Sequence, residues 1–339
     1  MSSDRFPAYH TTDKKIATLD YTSGQTVTKS LQLQNRYNFV TGCLTLSMTG
    51  GGAAPVSAVQ EAALGIIQRM YVTVNGAQQA KHETSGRQLF LNTIEATRKA
   101  PKGFEPLTSA TKTYKVFFQW QFAPANIRQR DIFALDLLKE KNNASLLSNA
   151  EVSVDWGTAS SLWHSAGGMT VASAQLELWG NQTMLPVGNP ANPFTYSRAN
   201  ETIVRKITTP YVAGSTSVEV EIPSVSGAFL VGLTVAQFAR KAANDFADES
   251  AILSLKNDEY EWKSAPIGVM RSRQNQFLDD TPNNVIFINL IENNNVDTAL
   301  PDGAFTNNLD ITIPVNDGAS TDAMTVEVYA TFVTRGTVK

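Results

Sequence analysis

The sequence predicts an all-β chain of two consecutive β-sandwiches of the jelly-roll kind, with a few short helices in the loops. Three observations predict it. Apolar and polar residues alternate along many short segments. Helical spacing is confined to a few stretches. A cluster of prolines divides the 339 residues into two halves of similar size, each large enough for an eight-stranded jelly roll.

The alternation is clearest at residues 217–223, where Val218, Val220 and Ile222 share one face and Glu219 and Glu221 the other. Residues 114–122 place Val116, Phe118, Trp120 and Phe122 on one side, and 151–156 place Val152, Val154 and Trp156 opposite Glu151 and Asp155. The pattern returns at 28–33, 38–48, 67–74, 309–315 and 325–333. A side-chain period of two with one buried face describes a half-buried strand. Many such strands separated by Gly, Pro, Asn and Asp indicate a sandwich or jelly roll.

Helical signals are few. Thr84 and Ser85 offer N-caps for a helix running to Arg98, with Leu89, Phe90 and Ile94 facing inward. Residues 234–246 carry Val235, Phe238, Ala242 and Phe246 at helical spacing, and 131–138 are long enough for two turns. Two of these stretches hold similar places, each between a group of strands and a long loop, which reads as a weak structural duplication.

The division falls where Pro186, Pro190 and Pro193 crowd together, since proline at that density cannot continue a central strand. The expected layout is an N-terminal arm at 1–15, a first jelly roll at 16–181, a strap at 182–198 and a second jelly roll at 199–339.

Composition narrows the function. Only 17% of residues are charged, and the formal net charge is −3, without the basic excess of a nucleic-acid binder. The lone Cys43 rules out a disulfide within the chain. The polar first residues have no apolar signal-peptide core, and no stretch approaches a membrane span, the longest candidate being cut by Gln60 and Glu61. A soluble protein made in a cytoplasm is expected.

No catalytic constellation emerges. His10, His82 and His164 lack zinc-ligand spacing, no G-x-S-x-G elbow occurs, and Gly50-Gly51-Gly52 is followed by no Lys-Ser/Thr and reads as a surface turn. Asp279, Asp280, Glu292 and Asp297 form an acidic region without EF-hand spacing, better read as a solvated loop. Trp120 and Trp156 fall in register with apolar strand faces and read as core, whereas Trp163, in a loop-like segment, is the best candidate for an exposed tryptophan. The expectation is a protein that is not an enzyme, with no catalytic, cofactor-binding or metal-binding residues and no cofactor.

Residues 68–101 carry something more specific: Gln68-Arg69 opening a strand, the turn His82-Glu83-Thr84-Ser85-Gly86, then Leu89 and Asn92-Thr93 on a helix. This resembles the first barrel of the tectivirus major capsid protein family. Phe122-Ala-Pro124-Ala with the following Asp131 to Leu135, the strand from Asn149 to Gly157, and Leu185-Pro186-Val187-Gly188 extend the resemblance over about residues 60–190. The second half is similar in pattern alone. The resemblance implies a double jelly roll of the tectivirus and adenovirus-hexon lineage. It implies the major capsid protein of a tailless icosahedral bacteriophage, with two eight-stranded barrels side by side. Three chains would form a pseudo-hexagonal homotrimeric capsomer, and capsomers would tile a shell around an internal membrane. The implied partners are further copies of the chain, minor capsid and vertex proteins and the viral membrane, with no direct contact to nucleic acid. The implied location is the virion, with assembly in the host cytoplasm. Arg5, Lys14 and Lys15 could approach lipid head groups, though Asp4 and Asp13 largely offset them. Loops at 142–149 and 157–168 are expected to serve subunit contacts or the outer surface. Two other readings fit the strands: a β-rich minor vertex or spike protein of such a virus, and a carbohydrate-binding double jelly roll.

Overall fold

A computed structural model of the chain describes residues 10–33, 35–75, 80–124, 133–137, 148–184, 201–246, 248–257, 260–275, 281–291, 299–300, 309–316 and 324–334. The first half contains β1 (His10–Asp20), β2 (Thr26–Ser30), β3 (Arg36–Thr49), β4 (Val56–Ala58), β5 (Ile67–Val74), β6 (Lys81–Thr84), α1 (Gly86–Thr97), β7 (Lys112–Gln121), β8 (Leu135–Asp136), β9 (Ala150–Trp156), α2 (Ala159–Leu162), β10 (Trp163–Ser165) and β11 (Thr170–Met184). A 3-10 turn at Ala62–Ile66 precedes β5. The second half contains β12 (Glu201–Tyr211), β13 (Ser217–Ile222), β14 (Ala228–Ala239), β15 (Ala242–Ala243), β16 (Ile252–Lys256), β17 (Glu261–Pro266), α3 (Ile267–Asn275), β18 (Val285–Asn289), β19 (Leu309–Pro314) and β20 (Met324–Thr334).

Pairing makes each half a jelly roll. In the first, β1-β11-β3-β7 form one sheet and β2-β9-β5-β6 the other. In the second, β12-β20-β14-β18 face β13-β19-β16-β17. Matched in chain order, the two sets of eight strands give the same neighbours in the same sheets, and every pairing is antiparallel. The helix lies at the same station in both, between the fifth and sixth strands of the set. The duplication inferred from sequence is therefore present, but one of its helices was misplaced: residues 234–246 form the end of β14 and the short β15, and the second helix is α3.

The reason is burial on both faces. Val235 joins the second barrel's core, while Ala236 and Phe238 pack against the first barrel. A strand covered on both sides loses its alternation and reads as a continuous apolar run, which periodicity cannot tell from a buried helix. A bulge between Leu230 and Gly232 also brings both Leu230 and Leu233 inward, three residues apart. In the 131–138 stretch, Leu135 and Asp136 pair with β3 instead of extending a helix, and residues 131, 132 and 138 lie outside the described residues.

Where one face is solvated, alternation translates directly: β13 alternates exposed and buried residues throughout, with Val218, Val220 and Ile222 inward. Trp120, Trp156, Phe118 and Phe122 are all buried in the first barrel. The first sheet begins before the expected boundary, because His10 to Lys15 already pair with β11, and β11 continues to Met184. The rest of the expected strap lies outside the described residues, as do residues 1–9.

Candidate functional site

The seam between the barrels is built from α1, the 3-10 turn and β6 on one side and the outward face of β12-β20-β14-β18 on the other. β20 shows how the sequence provides for it. Val326, Val328, Ala330 and Phe332 fill the second barrel, and the alternate residues Glu327, Tyr329 and Val333 are also buried. Ala236, Phe238, Val285 and Tyr329 merge with the first barrel's core. A second apolar patch joins Ala123 and Phe133 to Val231, Ile291, Ala299 and Val333.

Local sequence places one cation at this seam. Ser85 caps α1 by accepting a hydrogen bond from the Gln88 amide, at 3.4 Å. Gly86 lies so close to the Leu64 carbonyl that a β-carbon would collide with it. The next residue, Arg87, then reaches across: its Nη1 donates to Glu327 Oε2 at 2.6 Å, its Nε pairs with the buried Glu61, and its guanidinium lies 3.8 Å from the centroid of the Phe238 ring. Glu327 also pairs with Lys206 at 2.7 Å and accepts from the Tyr329 hydroxyl at 2.5 Å. Burial pushes the Glu327 carboxyl up, but the Arg87 and Lys206 charges and the hydrogen bonds from Lys206 and Tyr329 outweigh it, leaving a net shift below the usual carboxylate value. Burial and the Glu327 charge hold the Tyr329 phenol well above its usual value. Polar contacts extend the seam: Thr202 Oγ1 donates to the Phe122 carbonyl at 2.8 Å, Lys241 Nζ to the Ser160 carbonyl at 2.5 Å, and Lys81 pairs with Glu201 at 3.5 Å.

His82, which the sequence places in a turn, stands on β6 just before α1; it is buried and has a left-handed backbone (φ 51°). Its carbonyl accepts from Trp120 Nε1 at 3.1 Å, and its ring lies 4.5 Å from that of Phe122. Burial, with help from Lys81, lowers its pKa to about 3, so the ring is neutral near pH 7. His82 therefore belongs to the packing beside the seam.

Other sequence candidates fall in different places. Trp163 is only 4% exposed, on β10, where it pairs with β4; the exposed tryptophan is Trp179 on β11, at 39%. The 157–168 segment is not a free loop, since it forms α2 and β10 and sends Leu162 and Trp163 into the first barrel's core. Residues 142–147 of the other expected contact loop lie outside the described residues. Lys14, Lys15 and Asp13 stand on β1, where Lys15 pairs with Glu177 and Asp13 accepts from Asn181 at 2.9 Å; Arg5 and Asp4 lie outside the described residues. The acidic residues 279, 280, 292 and 297 do as well. Among the described residues no group of three or more His, Cys, Asp or Glu side chains could hold a metal ion, and no helix is long and apolar enough to cross a membrane. Sequence reasoning missed Arg87 and Glu327. Nothing local marked Glu327: the same Val-Glu-Val tripeptide at Val218-Glu219-Val220 puts its glutamate on a solvated face.

No protein-family model matches the chain, and no curated protein sequence matches it. Its fold matches solved viral coats. The chain is similar to the major capsid protein of bacteriophage PM2 at 12% identity and a TM-score of 0.56, over 95% of this chain and 98% of that one. It is similar to a chain of Sulfolobus Turreted Icosahedral Virus at 13% identity and 0.64, over 96% and 90%. It is similar to a chain of the PBCV-1 virus capsid at 7% identity and 0.64, over 98% and 97%. The match spans both barrels in each case, so the shared fold is the whole double jelly roll.

Proposed function

We propose that this chain is the major capsid protein of a tailless icosahedral virus, a bacteriophage of the tectivirus kind, and that its mechanism is assembly. The observation that carries the proposal is the pair of equivalent jelly rolls locked side by side in one chain, an arrangement shared over nearly the full length with viral coat chains. Two similar barrels per chain give a trimer a near-sixfold outline, so one kind of subunit can fill a hexagonal lattice. Such trimers close by rotation, with one patch of each chain meeting a different patch of the next. The permanent contacts between copies would each bury on the order of 2,000 Å² or more.

The shell proposed here encloses a membrane, and minor proteins occupy its vertices. The small net charge of −3 agrees with a coat that does not line nucleic acid. The barrels act as a scaffold without catalysis. The arm and strap proposed at the chain's start and middle would leave the two barrels as the building blocks of the lattice, in the virion after assembly in the host cytoplasm.

Light scattering on the purified chain tests the proposal. A stable species near three times the 36.9 kDa chain mass, forming hexagonal arrays or shells under the electron microscope, is the expected result. A monomer at every concentration, with neither arrays nor shells, would overturn it.

A further inference from the structure

The last strands of the two barrels carry one pattern twice: Leu176-Glu177-Leu178-Trp179-Gly180 on β11 and Val326-Glu327-Val328-Tyr329-Ala330 on β20. In both, the apolar residues point into their own barrel and the glutamate and aromatic point away. The neighbouring strand repeats too. Lys15 on β1 lies opposite Trp179 and pairs with Glu177, and Lys206 on β12 lies opposite Tyr329 and pairs with Glu327. A lysine, a glutamate and an aromatic thus occupy the same station of equivalent sheets.

Their surroundings differ. In the second barrel the first barrel's helix α1 closes the station by inserting Arg87. In the first barrel it is open: Trp179 is 39% exposed, Phe117 37%, and the Glu177 side chain 33%. Glu177 lies opposite Cys43, and Cys43 opposite Phe117, so these side chains share a face with Trp179. That face sets Glu177 beside two aromatic surfaces, with Lys115 lying 5.6 Å over the Phe117 ring, and an anion beside an aromatic is what holds Arg87 at the closed station.

The helix equivalent to α1 is free to serve it. Like α1, whose Gly86 and Arg87 contact the turn before β5, α3 is rooted through a glycine and an arginine in the segment before β16: Gly268 N donates to the Glu249 carbonyl at 2.8 Å and Arg271 pairs with the exposed Glu249 carboxylate at 2.6 Å. Beyond that shared root, α1 is buried in the seam, whereas α3 exposes Val269, Ser272 and Arg273 at spacings of three and four, on one helix face.

We propose that the outer face of the first barrel around Glu177, Trp179 and Phe117 receives α3 of a second copy of this chain, with Arg273 directed to Glu177 and Val269 covering the aromatics. Each chain closes one station internally and offers one open station and one free helix, so the contact repeats head to tail. Its closure into a ring of three chains rests on the capsid reading above, with the intermolecular contact imitating the intramolecular seam.

The test compares solution masses of the full chain and two single variants, Trp179→Glu and Arg273→Glu, with far-ultraviolet circular dichroism as the check on folding. The expected result is a trimer for the unaltered chain and a threefold fall in mass at micromolar concentration for each folded variant. Two altered surfaces are used so that misfolding of one variant leaves the other to decide. Trimers that persist in a folded variant overturn this surface assignment and leave the capsid reading standing. A monomeric unaltered chain overturns both.

Discussion

Arg87, one residue into the helix of the first barrel, donates from Nη1 to Glu327 Oε2 of the second barrel at 2.6 Å, and both side chains are largely removed from solvent. Neither charge is tolerable there alone. Glu327 would keep Lys206, itself 44% exposed, and Arg87 would keep Glu61. Replacing Arg87 by Ala should cost about 3–5 kcal/mol, because a buried carboxylate loses its main partner. Glu327→Gln in the Arg87→Ala background should recover part of that loss, since it removes the stranded charge. Denaturant unfolding of both single variants and the double variant measures the coupling. Strict additivity would show that the pair does not hold the seam.

His82 makes folding sensitive to mild acid. Its folded pKa is lowered to about 3 from 6.5, first by burial and then by Lys81. Above pH 6.5 both states leave the ring neutral and stability is unaffected. As pH falls below 6.5 the unfolded chain takes up a proton that the folded chain refuses, so stability declines until about pH 3. At about pH 5 the loss is roughly 2 kcal/mol. His82→Asn keeps a residue that tolerates the left-handed backbone and removes the titration. Melting temperatures from about pH 7 to pH 4 should fall more steeply for the unaltered chain than for this variant. Parallel curves would refute the assignment.

How much of this could be seen in the sequence depended on how many faces of an element are covered. β13, β7 and β9 each have a regularly buried inner face, and their alternation was legible. The capped α1 was legible because Ser85 and Gly86 mark its start and Leu89, Phe90 and Ile94 its buried side. β14 was not, because the first barrel covers its second face and gives Phe238 an apolar setting. The helix α3 was missed because its exposed face mixes Val269 with Arg273 and its inner face is anchored by few residues, among them Ile267 and Gln274. The seam was hidden for a different reason. Arg87 and Glu327 are 240 residues apart, and only the fold brings them together.

Close packing in the first barrel depends on a missing side chain at Gly42. It lies opposite Phe118 in the β3–β7 ladder, and a β-carbon there would strike the Phe118 ring. Gly42→Ala should therefore destabilise the barrel by roughly 1–3 kcal/mol through overpacking. Adding Phe118→Leu, which shortens the obstructing side chain, should make the Gly42 substitution less costly than it is alone. Thermal unfolding of the four combinations decides it, and equal costs of Gly42→Ala in both backgrounds would show that the ring is not the obstacle.

The segment 157–168 provides the clearest contrast between an assembly role and a folding role. Read as a loop, it could be deleted with loss of subunit contacts alone. Its backbone is instead tied into the first barrel: Gly157 N donates to the Ile66 carbonyl at 2.8 Å, Val59 N to the Leu162 carbonyl at 2.8 Å, and Gly168 N to the Ala53 carbonyl at 3.0 Å. Leu162 is fully buried and Trp163 nearly so. Their removal would uncover the 3-10 turn that supports Glu61 and, through it, Arg87. Losing two large core side chains costs at least about 5 kcal/mol by the usual large-to-small scale, comparable to the whole stability of a typical domain. Deletion of 157–168 should therefore abolish soluble folded protein, whereas exchanging the exposed Ser160 for Ala should leave the fold intact. Soluble yield and circular dichroism separate the two, and a folded deletion variant that merely fails to assemble would restore the simple loop interpretation.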